Sequence, residues 1–141
     1  MNSFNQSIDL LQRGLDVASL RYQVTADNIA NAGTPGFKRS HVNFESELKR
    51  AFESEERAKN AFELTKTDSR HISINTVYDW HDVEPRRVKD YLVSDKASEN
   101  GINVETEAMN AVKINMQYRL LSQLESFEFA QMKTAMSSNR G

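Results

Sequence analysis

Apolar side chains recur at alternating spacings of four and three near the start of the chain. The large members of this line are Phe4, Ile8, Leu11, Leu15, Tyr22 and Ile29. This heptad spacing predicts a single amphipathic helix over residues 4–31. A second apolar line runs beside the first, so the stripe is too wide for a two-stranded coiled coil alone. We therefore predict that one line packs inside the chain and the other packs against a neighbouring molecule.

The helical pattern stops at a run of turn-forming residues, 28–39. Asn31 and Gly33 tolerate the left-handed conformation in which many helices end. Pro35 cannot continue a helix, and Pro35-Gly36 fits the two central positions of a type II turn. Phe37 follows at once and offers an aromatic ring that can anchor the chain against a neighbouring helix. The run therefore predicts a helix end, a rigid corner and an aromatic anchor.

The last forty residues again carry an apolar helical pattern. Asn100-Gly101 is a turn dipeptide, and Asn103 or Thr106 is expected to cap the helix that follows. No proline or glycine interrupts residues 102–140. The large apolar members of this line are Met109, Val112, Met116, Leu120, Leu124 and Phe127. We predict one long helix that pairs antiparallel with the first, the two apolar lines together forming a helix-packing seam.

The middle of the chain differs from both ends because most of the charged residues fall there. Such a composition buries little surface. One apolar set fits a short amphipathic helix, although its narrow face is equally compatible with partial disorder. It comprises Val42, Phe44, Leu48, Ala51 and Phe52. Residues 61–78 and the stretch 88–93 favour short strands. The predicted organisation is an N-terminal helix and corner (1–37), a charged middle with a short helix and short strands (38–99), and a C-terminal helix (100–141). The predicted fold is mainly α: an antiparallel coiled-coil hairpin with a small irregular or β-containing middle.

Composition excludes several classes of protein. The chain has 141 residues, a net charge of −2 and no cysteine. Its length suits one domain, and its charge argues against nucleic acid as the main partner. The lack of cysteine excludes disulfides and cysteine-based metal or redox sites. We expect no cleaved secretory signal and no membrane span, because neither a basic leader nor a run of about 20 apolar residues occurs.

Residues that can support catalysis are few. The histidines are His41, His71 and His81. None of them stands at a spacing typical of metal ligands, although His81 has acidic neighbours that a cation can bind. These neighbours are Asp79, Asp82 and Glu84. Ser73 lies close to His71 in sequence, which is a weak indication of a nucleophile and base. We therefore expect a protein that is not an enzyme and that uses no cofactor, no metal and no small-molecule substrate.

The corner also resembles a known motif. Asn28, Ile29, Ala30, Asn31, Thr34, Gly36, Phe37 and Lys38 stand in an order similar to the N-terminal motif of bacterial flagellar rod, hook and hook-associated proteins. Thr65-Lys66-Thr67 with His71, and the stretch 100–107, are similar to further elements of that family. Two departures are Glu105, where the family usually has aspartate, and the order Asn100-Gly101. The resemblance covers both ends well and the middle weakly, and the small size of the chain points to a rod protein.

This resemblance implies a structural subunit of the proximal rod of the flagellar basal body. Its terminal helices would assemble into a helical tube that transmits torque across the periplasm. The implied partners are other copies of the chain, other rod proteins, a membrane-ring protein and a small adaptor at the rod base. The flagellar type III export apparatus would export the chain without a cleaved signal. The alternative is a soluble helical binding module or export chaperone that grips a partner helix, which explains the apolar lines but leaves the corner unexplained.

Overall fold

The computed structural model describes residues 3–60, 77–91 and 102–138. The elements in chain order are α1 (Ser3–Ala30), β1 (Ser40–Asn43), α2 (Glu45–Asn60), a 3-10 turn (Trp80–Asp82), β2 (Arg86–Lys89) and α3 (Val104–Ser138). The two long helices α1 and α3 pack along each other. This confirms the predicted, mainly α fold, in which long terminal helices are in contact and the middle is small and contains strands.

Contacts at both ends of α1 show that it runs antiparallel to α3. Near its start, the rings of Phe4 and Phe129 meet edge to face, with centroids 6.2 Å apart. Near its end, the side chain of Asn28 donates to Glu107 in the first turn of α3. The apolar side chains buried in these two helices are Ile8, Val17, Ala18, Val24 and Ile114. The two long helices therefore form the predicted antiparallel hairpin.

Gly14 explains how closely α1 and α3 approach. A glycine inside a helix lowers stability by about 1 kcal/mol relative to alanine. A Cβ atom at this position would lie only 3.2 Å from Cδ1 of Leu121 on α3, which is tighter than ordinary van der Waals contact. The missing side chain thus lets Leu121 lie directly against the backbone of α1.

The strands β1 and β2 form a two-stranded sheet. The amide of Asp90, just after β2, donates to the carbonyl of Arg39, just before β1, so the strands run antiparallel. The prediction of a helix at Val42 is wrong, because Val42 is a buried residue of β1 and the helix begins at Glu45. Burial alternates along β1, which is the period of a strand and not of a helix.

The other predicted strands are tested only in part. β2 contains Val88 but ends at Lys89, before the remainder of the predicted stretch 88–93. Residues 61–76 and 92–101 lie outside the described residues, and most of the predicted strand region 61–78 falls there. In the described part of that region, residues 77–78 are in neither a strand nor a helix.

The described residues fall into two compact units. The first lies within Met1–Val42 and Arg87–Gly141 and contains α1 and α3; the second lies within Asn43–Arg86 and contains α2. In the second unit the ring of Trp80 is buried and lies 6.1 Å from that of Phe52. The α2 surface carries i,i+4 ion pairs such as Lys59 with Glu55 at 2.8 Å. The charged run is therefore a solvated helix face, as its composition predicts.

Candidate assembly site

The corner after α1 is built around a tight turn. The amide of Phe37 donates to the carbonyl of Thr34 over 3.2 Å, and Gly36 has φ 75°. These features confirm the predicted type II turn with Pro35-Gly36 at its centre. The expectation of a left-handed helix end at Asn31 or Gly33 is wrong, because Gly36 alone has a positive φ in the described part of the chain. Instead, α1 unwinds through successive short turns whose amides bond back to residues 27–31.

Gly36→Val is expected to destabilise the purified chain by about 1–2 kcal/mol, since a side chain disfavours the left-handed region. A Cβ at Gly36 meets nothing within 4 Å, so the cost lies in the backbone alone. Gly33→Val is the matched control, because Gly33 also has open space but no positive φ. Urea unfolding followed by circular dichroism measures both, and equal midpoints would contradict the role assigned to the turn. We also expect Gly36→Val to impair the assembly that the corner motif implies.

A buried polar cluster, which we call the corner clamp, ties the corner to both long helices. Its members are Asn28, Arg39, Ser40, Asp90 and Glu107. The side chain of Asn28 is 1% exposed. Its Nδ2 donates to the carbonyl of Ser40 at 2.8 Å and to Glu107 Oε2 at 3.1 Å, while its Oδ1 accepts from the Ser40 amide at 3.0 Å. One amide group therefore satisfies the backbone of β1 and holds the first turn of α3.

Arg39 completes the corner clamp from the other side. Its guanidinium donates to Glu107 Oε1 at 2.8 Å and to Asp90 Oδ2 at 2.7 Å. Burial lowers the pKa of Arg39, but the bonds to Asp90 and Glu107 outweigh that effect, so the pKa is raised above its usual value. His41 Nδ1 lies 2.7 Å from the second oxygen of Asp90. Glu107, only 2% exposed, is thus a buried carboxylate whose two oxygens both have partners.

The start of α3 is fixed by a cap as well as by the corner clamp. Oδ1 of Asn103 accepts from the amides of Glu105 and Thr106 at 3.0 and 3.1 Å. This confirms Asn103 as the cap and excludes the alternative, Thr106, which lies inside the helix. The carboxylate of Glu107 also lies in the first helical turn, where the helix dipole favours negative charge.

The residues of the predicted corner motif have different environments. Asn28 belongs to the corner clamp, whereas Asn31 donates from Nδ2 to the carbonyl of Asp27 at 2.8 Å and so closes its own helix end. Ile29 and Phe37 are half-buried. The exposed members are Ala30, Thr34, Gly36 and Lys38. No pattern in the sequence predicts the roles of Arg39, Ser40 and Asp90 in the corner clamp. The available signal was the basic residue at the end of the run 28–39.

The residues of the predicted packing seam have different environments on the two helices: most of the α1 members are at least half-buried, whereas the α3 members are exposed. On α1, Ile8 is buried, Tyr22 is exposed, and the remaining members are half-buried: Phe4, Leu11 and Leu15. On α3 all six members are 44–67% exposed. We call these six the outer stripe: Met109, Val112, Met116, Leu120, Leu124 and Phe127. The residues of α3 that meet α1 lie on the opposite side of the helix, among them Glu107, Ile114 and Leu121.

The weak indications of a cation or catalytic site at the histidines can be located only in part. Nδ1 of His81 lies 2.6 Å from Asp79, but within residues 3–60, 77–91 and 102–138 no three His, Asp or Glu side chains are placed to hold a metal. His71 and Ser73 lie outside those ranges. A search of the same residues for a helix long and apolar enough to cross a membrane finds none.

Comparison with known proteins gives the class. Residues 8–38, which cover most of α1 and the whole turn, match the family model of the flagella basal body rod proteins. The chain is 40% identical to the flagellar basal body rod protein FlgB of Borreliella burgdorferi over 129 residues, which are 92% of this chain and 94% of the relative. It is 41% identical to FlgB of Borrelia hermsii, again over 129 residues, 92% of this chain and 94% of the relative. It is 27% identical to FlgB of Escherichia coli strain K12 over 142 residues, 99% of each chain.

These matches show that the chain, a helical hairpin with this corner, is a flagellar basal body rod protein. Among the rod proteins, the chain belongs to the FlgB family. It is a structural component of the rod and not an enzyme, which agrees with the function that the corner motif implied.

Proposed function

We propose that the chain builds the proximal rod by packing the outer stripe of α3 against neighbouring subunits, forming a helical tube that carries torque across the periplasm. The observation that carries this proposal is the exposure of the outer stripe on the side of α3 that faces away from α1. A stripe of this length extends about 27 Å along the helix. Soluble monomers rarely leave so long an apolar patch in water, so a partner is expected to cover it.

The free energy available from the outer stripe is large enough to drive assembly. Burial of one large apolar side chain contributes about 1.5–3 kcal/mol, before the entropic cost of association is subtracted. Two of the six side chains are methionines, which adapt to slightly different neighbours. That property suits a rod, in which one subunit meets several neighbours that are not identical.

We also propose particular binding partners and a cellular location for the chain. A rod component works in an assembly with other rod proteins. We propose that this chain additionally contacts a membrane-ring protein and a small adaptor at the rod base. Export through the flagellar type III apparatus, without a cleaved signal, would place it in the periplasmic part of the basal body. These proposals rest on the resemblance of the corner motif to that of exported axial proteins.

The double variant Met116→Glu, Leu120→Glu tests the role of the outer stripe. Both side chains are exposed, so the purified chain is expected to keep its helical circular dichroism. In a motile host whose own gene has been replaced, we expect no rod in isolated basal bodies and no motility. Ser126→Glu adds a charge at an exposed polar position of α3 and serves as the control. Normal rods from the double variant would reject the proposal and favour a chaperone-like module.

A further inference from the structure

A cavity of about 260 Å³ opens beside the outer stripe, between α1, β1 and α3. The ionisable side chains that line it are all of the basic type: Arg21, Arg39, His41 and Lys113. Among the described residues, no aspartate or glutamate lines it. Polar groups from Thr25, Ser40, Asn110 and Gln117 complete the hydrophilic part of the wall. A cavity with this lining attracts an anion.

One buried group in the wall lacks a partner. The side chain of Ser40 is fully buried, and its Oγ makes no hydrogen bond among the described residues. Buried hydroxyls are normally hydrogen-bonded, and an unsatisfied one lowers stability. Ser40 lines the cavity, so a small movement of the wall lets its hydroxyl donate a hydrogen bond to an acceptor that has entered.

The basic side chains of the wall differ in the hydrogen bonds and ion pairs that they already make within the chain. Arg39 and His41 are paired with carboxylates of the corner clamp. Arg21 is also engaged within the chain, and it donates to the carbonyl of Val42 at 3.5 Å. Lys113 makes no hydrogen bond or ion pair with any residue in the described ranges, and its side chain is exposed. The positive charge of Lys113 in the cavity wall is therefore not neutralised by any residue that the structure describes.

We propose that this cavity receives an acidic side chain of the neighbouring rod subunit. This proposal rests on the proposed packing of the outer stripe, because Lys113 and Gln117 directly follow Val112 and Met116 of that stripe. A neighbour seated on the outer stripe would bring its polar flank over the cavity. A carboxylate there accepts from Lys113 and from the hydroxyl of Ser40, and it balances the positive charge of Lys113.

The carboxylate supplies what the outer stripe lacks, a unique register. Flexible apolar side chains pack in several alignments with similar free energies. A single charged contact is formed in only one of these alignments, and it is lost in the others. The acidic side chain therefore fixes the axial position of the neighbour, while the outer stripe provides the affinity.

Charge reversal at Lys113 tests the proposal in a host whose own gene has been replaced. We expect Lys113→Glu to reduce motility and the number of rods in isolated basal bodies at least tenfold. Lys113→Arg keeps the charge and should assemble normally. Lys133→Glu makes the same charge change at another exposed lysine of α3 and should also assemble. Normal rods from Lys113→Glu, or an equal defect from Lys133→Glu, would overturn the proposal.

A zero-length cross-link identifies the contact directly. A water-soluble carbodiimide activates a carboxylate, which then forms an amide with the Lys113 amine, while the carbodiimide takes up the elements of water as a urea. Mass spectrometry of treated basal bodies should find Lys113 joined to an aspartate or glutamate of an adjacent subunit. The cross-link should be absent from Lys113→Arg rods, because a guanidinium does not form this amide. Wild-type rods that yield no intersubunit cross-link at Lys113 would also overturn the proposal.

The outer-stripe variant separates the two proposals. Normal rods from Met116→Glu, Leu120→Glu would remove the proposed packing itself. A stripe variant that fails to assemble, together with a Lys113→Glu variant that assembles normally, would remove only the carboxylate contact.

Discussion

Asn28→Asp is expected to destabilise the purified chain by about 3 kcal/mol or more. The substitution replaces one NH2 group by oxygen and changes almost no volume, so packing is preserved. The new carboxylate faces Glu107 Oε2 and the Ser40 carbonyl, which now accept from Nδ2 at 3.1 and 2.8 Å. Three acceptors would then meet without a donor in a site where Asn28 is 1% exposed. Charge repulsion and lost hydrogen bonds act together there.

Asn31→Asp is the matched control for this substitution. Asn31 lies three residues further along the chain, and its Nδ2 bonds only the exposed end of its own helix. We expect a loss of about 1 kcal/mol, from one solvent-exposed hydrogen bond and a negative charge near a helix C-terminus. Urea unfolding at neutral pH compares the two variants. Equal unfolding midpoints would show that the corner clamp does not stabilise the fold as described.

Val17→Asp and Val112→Asp introduce the same charge but are expected to differ in their effect on the stability of the monomer. Val17 is 3% exposed between α1 and α3, and an unpaired charge there is expected to abolish the folded hairpin. Val112 is 61% exposed in the outer stripe, so Val112→Asp should leave the stability of the monomer within about 0.5 kcal/mol of wild type. Rod assembly should fail in both variants.

Two measurements separate these outcomes. Circular dichroism of the purified chains should show lost helix for Val17→Asp and wild-type helix for Val112→Asp. Counting rods in isolated basal bodies should show none for either variant. A Val112→Asp variant that loses its own fold would mean that the outer stripe packs inside the chain. One that forms normal rods would mean that no neighbour covers Val112.

Local sequence rules predicted the helices and the corner well. Heptad spacing predicted both long helices, Pro35-Gly36 predicted the turn, and Asn103 was one of two predicted caps. Each of these features is set by residues within a few positions of one another. The sequence pattern therefore carries enough information for them.

Long-range pairing could not be predicted in the same way. The face of α3 that meets α1 begins with a charged residue, Glu107, while the most regular apolar line of α3 is exposed. Hydrophobicity alone cannot identify a buried glutamate, because its partners Asn28 and Arg39 come from distant parts of the chain. Val42 was misassigned because apolar residues near a helix start fit both a strand and the helix.

The corner clamp also has a consequence for the order in which the chain can fold. Asn28 and Glu107 are 79 positions apart, and Arg39 and Glu107 are 68 apart. Contacts between residues so far apart in sequence form slowly, because a long loop must close before they stabilise the fold. A chain of which only the first hundred residues have been synthesised or transported therefore cannot form the corner clamp, because Glu107 is still missing. The hairpin forms only when the last third of the polypeptide is available. The chain therefore lacks the corner clamp during any process that proceeds from its N-terminus.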